Sequence, residues 1–231
     1  MTPDLSRLLA WQHDGTARLE AAVAALSDEQ LLQPCALPGW RRTHLVAHLA
    51  RNADALVNLL DWAATGHPNP MYADVDQRTR DIEASAAQPL ADLRQDLLSA
   101  DKRYADAIEA LPDHAWATRV RSALGRDIPA TDVPWLRVRE VWIHLVDLAG
   151  EPTFADLPAD LVTALLTDVA TAFNRKPGAP GLRLIAEDKV WTIGSPSTTI
   201  RGPAPALLGW LTGRSTGAEL NGPLPTLPPW L

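Results

Sequence analysis

Residues 41–56, RRTHLVAHLARNADAL, and residues 135–150, WLRVREVWIHLVDLAG, decide how this chain is read. Both are apolar at helical spacing. Each carries two metal-competent side chains four residues apart: His44 and His48 in the first, Glu140 and His144 in the second. A step of that size returns to the same face of an α-helix, so each pair forms a polar stripe. Facing helices of a bundle bring such stripes together around one ion. Two imidazoles and one carboxylate are a common ligand set for a divalent ion that keeps an open, reactive position. The stripes therefore predict a helical bundle with a catalytic metal site.

Working outward, the spacing predicts long helices over about Pro3–Leu26, 43–65, Pro89–Leu111 and from Asp132 or Thr131 to Gly150. Thr43 is the expected N-cap of the second, which closes at Gly66. Pro134 falls in the first turn of the last long helix, where its missing N–H costs little. A short helix is expected around 74–86 and a hairpin or extended loop over 115–130, turning at Gly125-Arg126. These elements describe a four-helix bundle over 1–150. After Gly150 the texture changes. One helix, Leu157–Phe173, is followed by short runs at Leu182–Ala186 and Lys189–Ile193 around Glu187-Asp188, which read as a β-hairpin. A third strand is expected over Ser197–Gly202, then a helix over Pro205–Leu211 ending at Gly213. The segment 151–231 thus reads as a small α+β domain, and the whole chain as α+β.

Composition sets the limits. The formal charge of −7 and the absence of any basic run longer than Arg41-Arg42 argue against a nucleic-acid surface. No stretch of some 18 apolar residues offers a membrane span, and the N-terminus does not resemble a secretory signal, so a cytoplasmic protein is expected. The single cysteine, Cys35, excludes an intramolecular disulfide and a cysteine zinc knuckle. It lies in a proline-flanked loop, where a structural role is expected.

Each polar residue also has a plainer reading. Glu140 could simply pair with Arg137 or Arg139, and one histidine of a stripe could be a core residue and the other a surface one. Asp147, one turn beyond His144, could orient an imidazole or be a solvated helix-end acid. Asn52 could support the site or face water. Arg78 and Arg80 could meet an anionic substrate, although exposure is the expectation. Trp40, Trp62, Trp135 and Trp142 are expected in the core, with walling a pocket the alternative for some of them. His13, His67 and His114 have no partner at metal spacing and are expected on the surface.

The segments LPGWRRTHLVAHLARNADALVNLLDWAATG (37–66), Pro70-Met71-Tyr72 and VREVWIHLVDLAG (138–150) closely resemble the mycothiol-dependent maleylpyruvate isomerases, part of the DinB-like metal-binding four-helix bundles. The resemblance extends to Gly213-Arg214 and the terminal Pro-Pro-Trp-Leu at 228–231. It implies a divalent metal, usually zinc, on His48, Glu140 and His144, with His44 a neighbour rather than a ligand. It also implies a catalytic arginine, which Arg214 matches by context; from spacing alone, Arg214 reads as an exposed residue at a helix end.

The implied chemistry is cis–trans isomerisation of maleylpyruvate to fumarylpyruvate. A thiolate of mycothiol adds to the alkene, the resulting single bond rotates, and the thiolate leaves again. A metal favours the thiolate form, and an arginine steadies a carboxylate or the enolate charge. The expected partners are a small anionic substrate and a low-molecular-weight thiol, with neither nucleic acid nor membrane, in a monomer or small homo-oligomer. Two other readings stay open on the residues: a mycothiol S-transferase, in which the adduct is the product, and a non-catalytic metal-binding bundle.

Overall fold

The computed structural model describes residues 4–74, 76–148, 150 and 152–230. The expected helix start at Pro3 and the terminal Leu231 lie outside them. The chain divides into two compact units, one over Pro3–Ala149 and one containing Gly150–Leu231. Among the described residues no helix is long and apolar enough to cross a membrane.

In the first unit, α1 (Leu5–Ala25) starts on Asp4, whose carboxylate accepts the Arg7 N–H at 2.9 Å. Its face of Leu8, Trp11, Leu19 and Val23 is buried. The break at Ser27 holds a further helical turn, α2 (Asp28–Leu31), because Ser27 and Gln30 cap each other reciprocally. α3 (Arg42–Thr65) ends at Gly66, whose φ of +74° suits glycine. Its N-cap is Arg41 and not Thr43, which is buried inside the first turn. The side chain that meets the terminal donor is His44: its Nδ1 accepts the Arg41 N–H at 3.2 Å.

A loop then leads to α4 (Gln77–Ala86), with the Asp74 carboxylate accepting the N–H groups of Asp76 and Gln77 at 2.9 and 2.8 Å. α5 (Leu90–Ala110) follows, then a two-stranded hairpin of β1 (Arg119–Arg121) and β2 (Asp127–Pro129). α6 (Val133–Asp147) carries Pro134 in its first turn. It stops at a Leu148 cap, short of the expected Gly150.

The bundle is formed by α1, α3, α5 and α6. α1 packs against α6 and α5, and α3 against α5 and α6, so α1 and α3 occupy opposite corners. α1 approaches α6 closely at Gly15, where an added Cβ would lie 2.5 Å from Trp142 Nε1 and 2.6 Å from Val141 Cγ2. The same indole donates to the Trp11 carbonyl at 2.8 Å. The α3–α6 contact sets the two polar stripes face to face.

The second unit holds α7 (Ala159–Asn174), β3 (Leu182–Ala186), β4 (Lys189–Ile193), β5 (Thr198–Arg201) and α8 (Ala204–Leu211). β3 lies in the middle of the sheet, antiparallel to β4 and parallel to β5. The alternation of the strands puts Leu182, Leu184, Ile193 and Ile200 into the core with Leu165, Phe173 and Leu208. To reach the far side of β3, the chain after β4 crosses directly over Gly181: a Cβ there would fall 1.8 Å from the Ser195 carbonyl oxygen.

Candidate metal centre

His48 sits on the second turn of α3, 4% exposed, and its Nε2 lies 2.9 Å from Glu140 Oε2. Glu140 is reached from α6, and His144 follows one turn later with Nε2 3.2 Å from the same carboxylate oxygen. The two imidazole rings meet edge-on with centroids 5.0 Å apart. One ligand atom from each of the three residues lies within 4.8 Å of the others. Among the described residues this is the one such cluster of three or more His, Cys, Asp or Glu side chains.

The neighbours explain why the cluster keeps this shape. Asp147, fully buried, accepts from His144 Nδ1 at 2.9 Å, which turns Nε2 toward Glu140. Arg137 is also fully buried but does not pair with Glu140. Its Nη1 donates to the Leu49 carbonyl and to Asn52 Oδ1, each at 2.9 Å, and its Nη2 donates to Asp101. Arg137 is thus not the partner of Glu140, whose Oε2 faces both imidazoles. Asn52 faces the core, not water, and ties α3 to α6 one turn from His48.

The electrostatics follow from these contacts. Burial pushes the Glu140 carboxyl up, but hydrogen bonds from His144 and His48 outweigh it and hold Glu140 well below the usual carboxylate range. Burial pushes the His48 imidazole down, only partly offset by Glu140. For His144, burial acts downward too, yet Asp147 and Glu140 together raise it above an ordinary histidine.

Several readings of the sequence change here. Of the four tryptophans expected in the core only Trp142 is fully buried, and Trp40, Trp62 and Trp135 are half-buried. Trp40 lies in the loop before α3, its ring 5.7 Å from His48 and 6.3 Å from His44. Arg78, expected to be exposed, is half-buried with Nη2 3.3 Å from His48 Nδ1. The residue type does not single out Arg78, since Arg80, two residues on in α4, instead pairs with Asp74. His44 lies outside the cluster, with Nε2 3.5 Å from Glu83. His13, His67 and His114 are exposed. Cys35 is half-buried near the Leu37 carbonyl, its thiol pushed up by burial.

Arg214 belongs to the second unit. It follows Gly213, whose φ is +76°, just past the end of α8. Its N–H donates to the Gly209 carbonyl at 2.8 Å and Nη1 to the Thr212 carbonyl at 2.7 Å, so it helps to serve the acceptors of the helix end.

The family model of the mycothiol maleylpyruvate isomerase N-terminal domain matches residues 12–149, and that of the MDMPI C-terminal domain matches 156–229. A crystal structure of the mycothiol-dependent maleylpyruvate isomerase is similar over 100% of both chains, with a TM-score of 0.94 and 28% identity. A histidine-to-alanine mutant of that enzyme gives 0.93 at the same identity and coverage. YfiT from Bacillus subtilis, described as a "probable metal-dependent hydrolase with an unusual four-helix bundle topology", shares the fold over 63% of this chain and 83% of its own, with a TM-score of 0.52 and 18% identity. No curated protein sequence gives a significant match. With both domain models placed in order along it, the chain belongs to the mycothiol maleylpyruvate isomerase family.

Proposed function

We propose that this chain is a mycothiol-dependent maleylpyruvate isomerase, holding a divalent metal on His48, Glu140 and His144. The observation that carries the reading is the convergence of these three donors in the family's own helical domain. The donor set fits the metal. Two imidazole nitrogens and a carboxylate oxygen suit zinc, and also nickel or cobalt. The low pKa of Glu140 and of His48 keeps both in the forms that ligate. A divalent ion bound there supplies a lowered thiol pKa, and so a thiolate at neutral pH.

The side chains of the chain do the rest. His48, Glu140 and His144 present fixed donors on two packed helices. Asp147 holds the proton of His144 on Nδ1, keeping Nε2 available. The Trp40 ring packs edge-on beside His48. Arg214 is assigned, on the family resemblance, to the negative charge that develops on the substrate as the thiolate adds. The substrate's double bond becomes a single bond while the adduct lasts, and rotation about it then needs no group from the protein.

The deciding experiment is turnover of maleylpyruvate by purified protein with and without mycothiol, before and after removal of metal by a chelator. Fumarylpyruvate formation that needs both is expected. Turnover unaffected by the chelator, or formation of a stable thioether instead of fumarylpyruvate, would overturn the reading.

A further inference from the structure

Arg78 is the feature of the site that the metal and the thiol leave unused. Its guanidinium reaches His48 Nδ1 from the first turn of α4. Tyr72, half-buried in the loop before α4, lies close enough to the same guanidinium for that charge to act on its hydroxyl. A half-buried arginine held from a separate segment against a ligand histidine is a placed charge, unlike the solvent-facing Arg80 two residues on.

Two arguments say what it is placed for. The first is charge. The histidines ligate as neutral imidazoles, and the carboxylates of Glu140 and Asp147 together cancel the charge of a divalent ion. Arg78 then adds a positive charge directly beside His48, which attracts an anion. The second is geometry. A histidine that ligates through Nε2 keeps its proton on Nδ1 and offers no acceptor there. The contact at 3.3 Å therefore gives way when His48 ligates, while Tyr72 remains beside the side chain. The released edge of the guanidinium presents parallel N–H donors, which match a carboxylate.

We propose that Arg78, beside Tyr72, is a carboxylate-binding residue of the helical unit, holding one carboxylate of a short unsaturated dicarboxylate beside His48. The identity of the substrate rests on the isomerase reading above; the carboxylate site does not.

The test is calorimetric titration of the metal-loaded, thiol-free protein with maleate, a short cis dicarboxylate that cannot isomerise without the thiol. Parent protein is compared with Arg78→Ala, Arg78→Lys and Tyr72→Phe, each checked for metal content and for its circular dichroism. Maleate binding should weaken at least about tenfold in Arg78→Ala, the loss of a charged hydrogen-bonded pair, and less in Arg78→Lys. Tyr72→Phe should fall between parent and Arg78→Ala. Metal affinity of the metal-free protein should be equal or tighter in Arg78→Ala, because a competitor for His48 is gone. In turnover, KM for maleylpyruvate should rise in Arg78→Ala while KM for mycothiol stays put.

Parent protein that binds no maleate, or Arg78→Ala protein that binds it like the parent, would overturn the assignment. So would loss of the metal from Arg78→Ala. A parent that binds maleate through Arg78 but does not isomerise maleylpyruvate would sink the isomerase reading and leave the carboxylate site standing.

Discussion

Asp147 Oδ2 lies 2.9 Å from His144 Nδ1, with Asp147 fully sealed from solvent. The carboxylate fixes which imidazole nitrogen is protonated, and so which one faces Glu140 and His48. It is set there by the loop before α3 as well, because the Asp147 carbonyl accepts the Ala36 N–H at 2.9 Å. Asp147→Asn should therefore keep the fold but weaken metal binding by roughly 10–100-fold, the usual loss for such an orienting group. Competition between the protein and a chromophoric chelator measures this, and unchanged affinity would remove Asp147 from the site.

The proton on His144 gives metal binding a pH dependence. In the metal-free protein its pKa is raised above the ordinary 6.5, so its pairing with Asp147 and Glu140 stabilises the fold below that value. That contribution is lost as pH rises through the raised pKa. A metal needs the imidazole deprotonated. Metal affinity should accordingly begin to fall, on acidification, already above pH 6.5. Titrations in two buffers of different ionisation heat should reveal proton release on binding, diminished in Asp147→Asn.

Arg137 and Asp101 form a pair with side chains 0% and 3% exposed. Removing the arginine alone leaves a buried carboxylate without its counter-ion, which costs about 3–5 kcal/mol. Arg137→Ala should lose this much in urea denaturation. It should also loosen α3 against α6, since Arg137 bonds the Leu49 carbonyl and Asn52. An Arg137→Met, Asp101→Leu double variant should recover much of the stability, because no lone charge remains.

Gly15 allows α1 to meet α6 across the ring of Trp142. An alanine suits a helix better in itself, by up to about 1 kcal/mol. Here its Cβ would lie 2.5 Å from a buried indole nitrogen that is already hydrogen-bonded to Trp11. Overpacking should win, and Gly15→Ala should destabilise by about 1–3 kcal/mol. A stabilised variant would show that the two helices can move apart freely.

Arg214→Ala and Arg214→Lys should retain the fold and the metal yet lose most thiol-dependent isomerisation, because a lysine cannot reproduce the two-pronged hold of a guanidinium. Turnover by Arg214→Ala at the parent rate would leave the residue with the helix-end role that its bond to the Thr212 carbonyl describes.

What the amino-acid sequence determined by itself was local. Helical periodicity placed the long helices to within a few residues, and alternation placed β3 and β4 at the bounds observed, Leu182–Ala186 and Lys189–Ile193. These signals are carried within one window of chain, so no distant contact is needed to read them. Spacing likewise named His44, His48, Glu140 and His144 as possible donors. It could not divide the first pair, because both histidines share one stripe; the contact of His48 with Glu140 across α3 and α6 and the capping of Arg41 by His44 separate them. Arg137 was an equally good partner for Glu140 until Asp101 of α5 and Asn52 of α3 claimed it. The parallel placement of β5 beside β3 depends on a crossing over Gly181, and the placement of Arg78 on a contact with a helix thirty residues earlier. Such choices are made where separate elements compete for the same buried partner, and only the packed tertiary structure holds that competition.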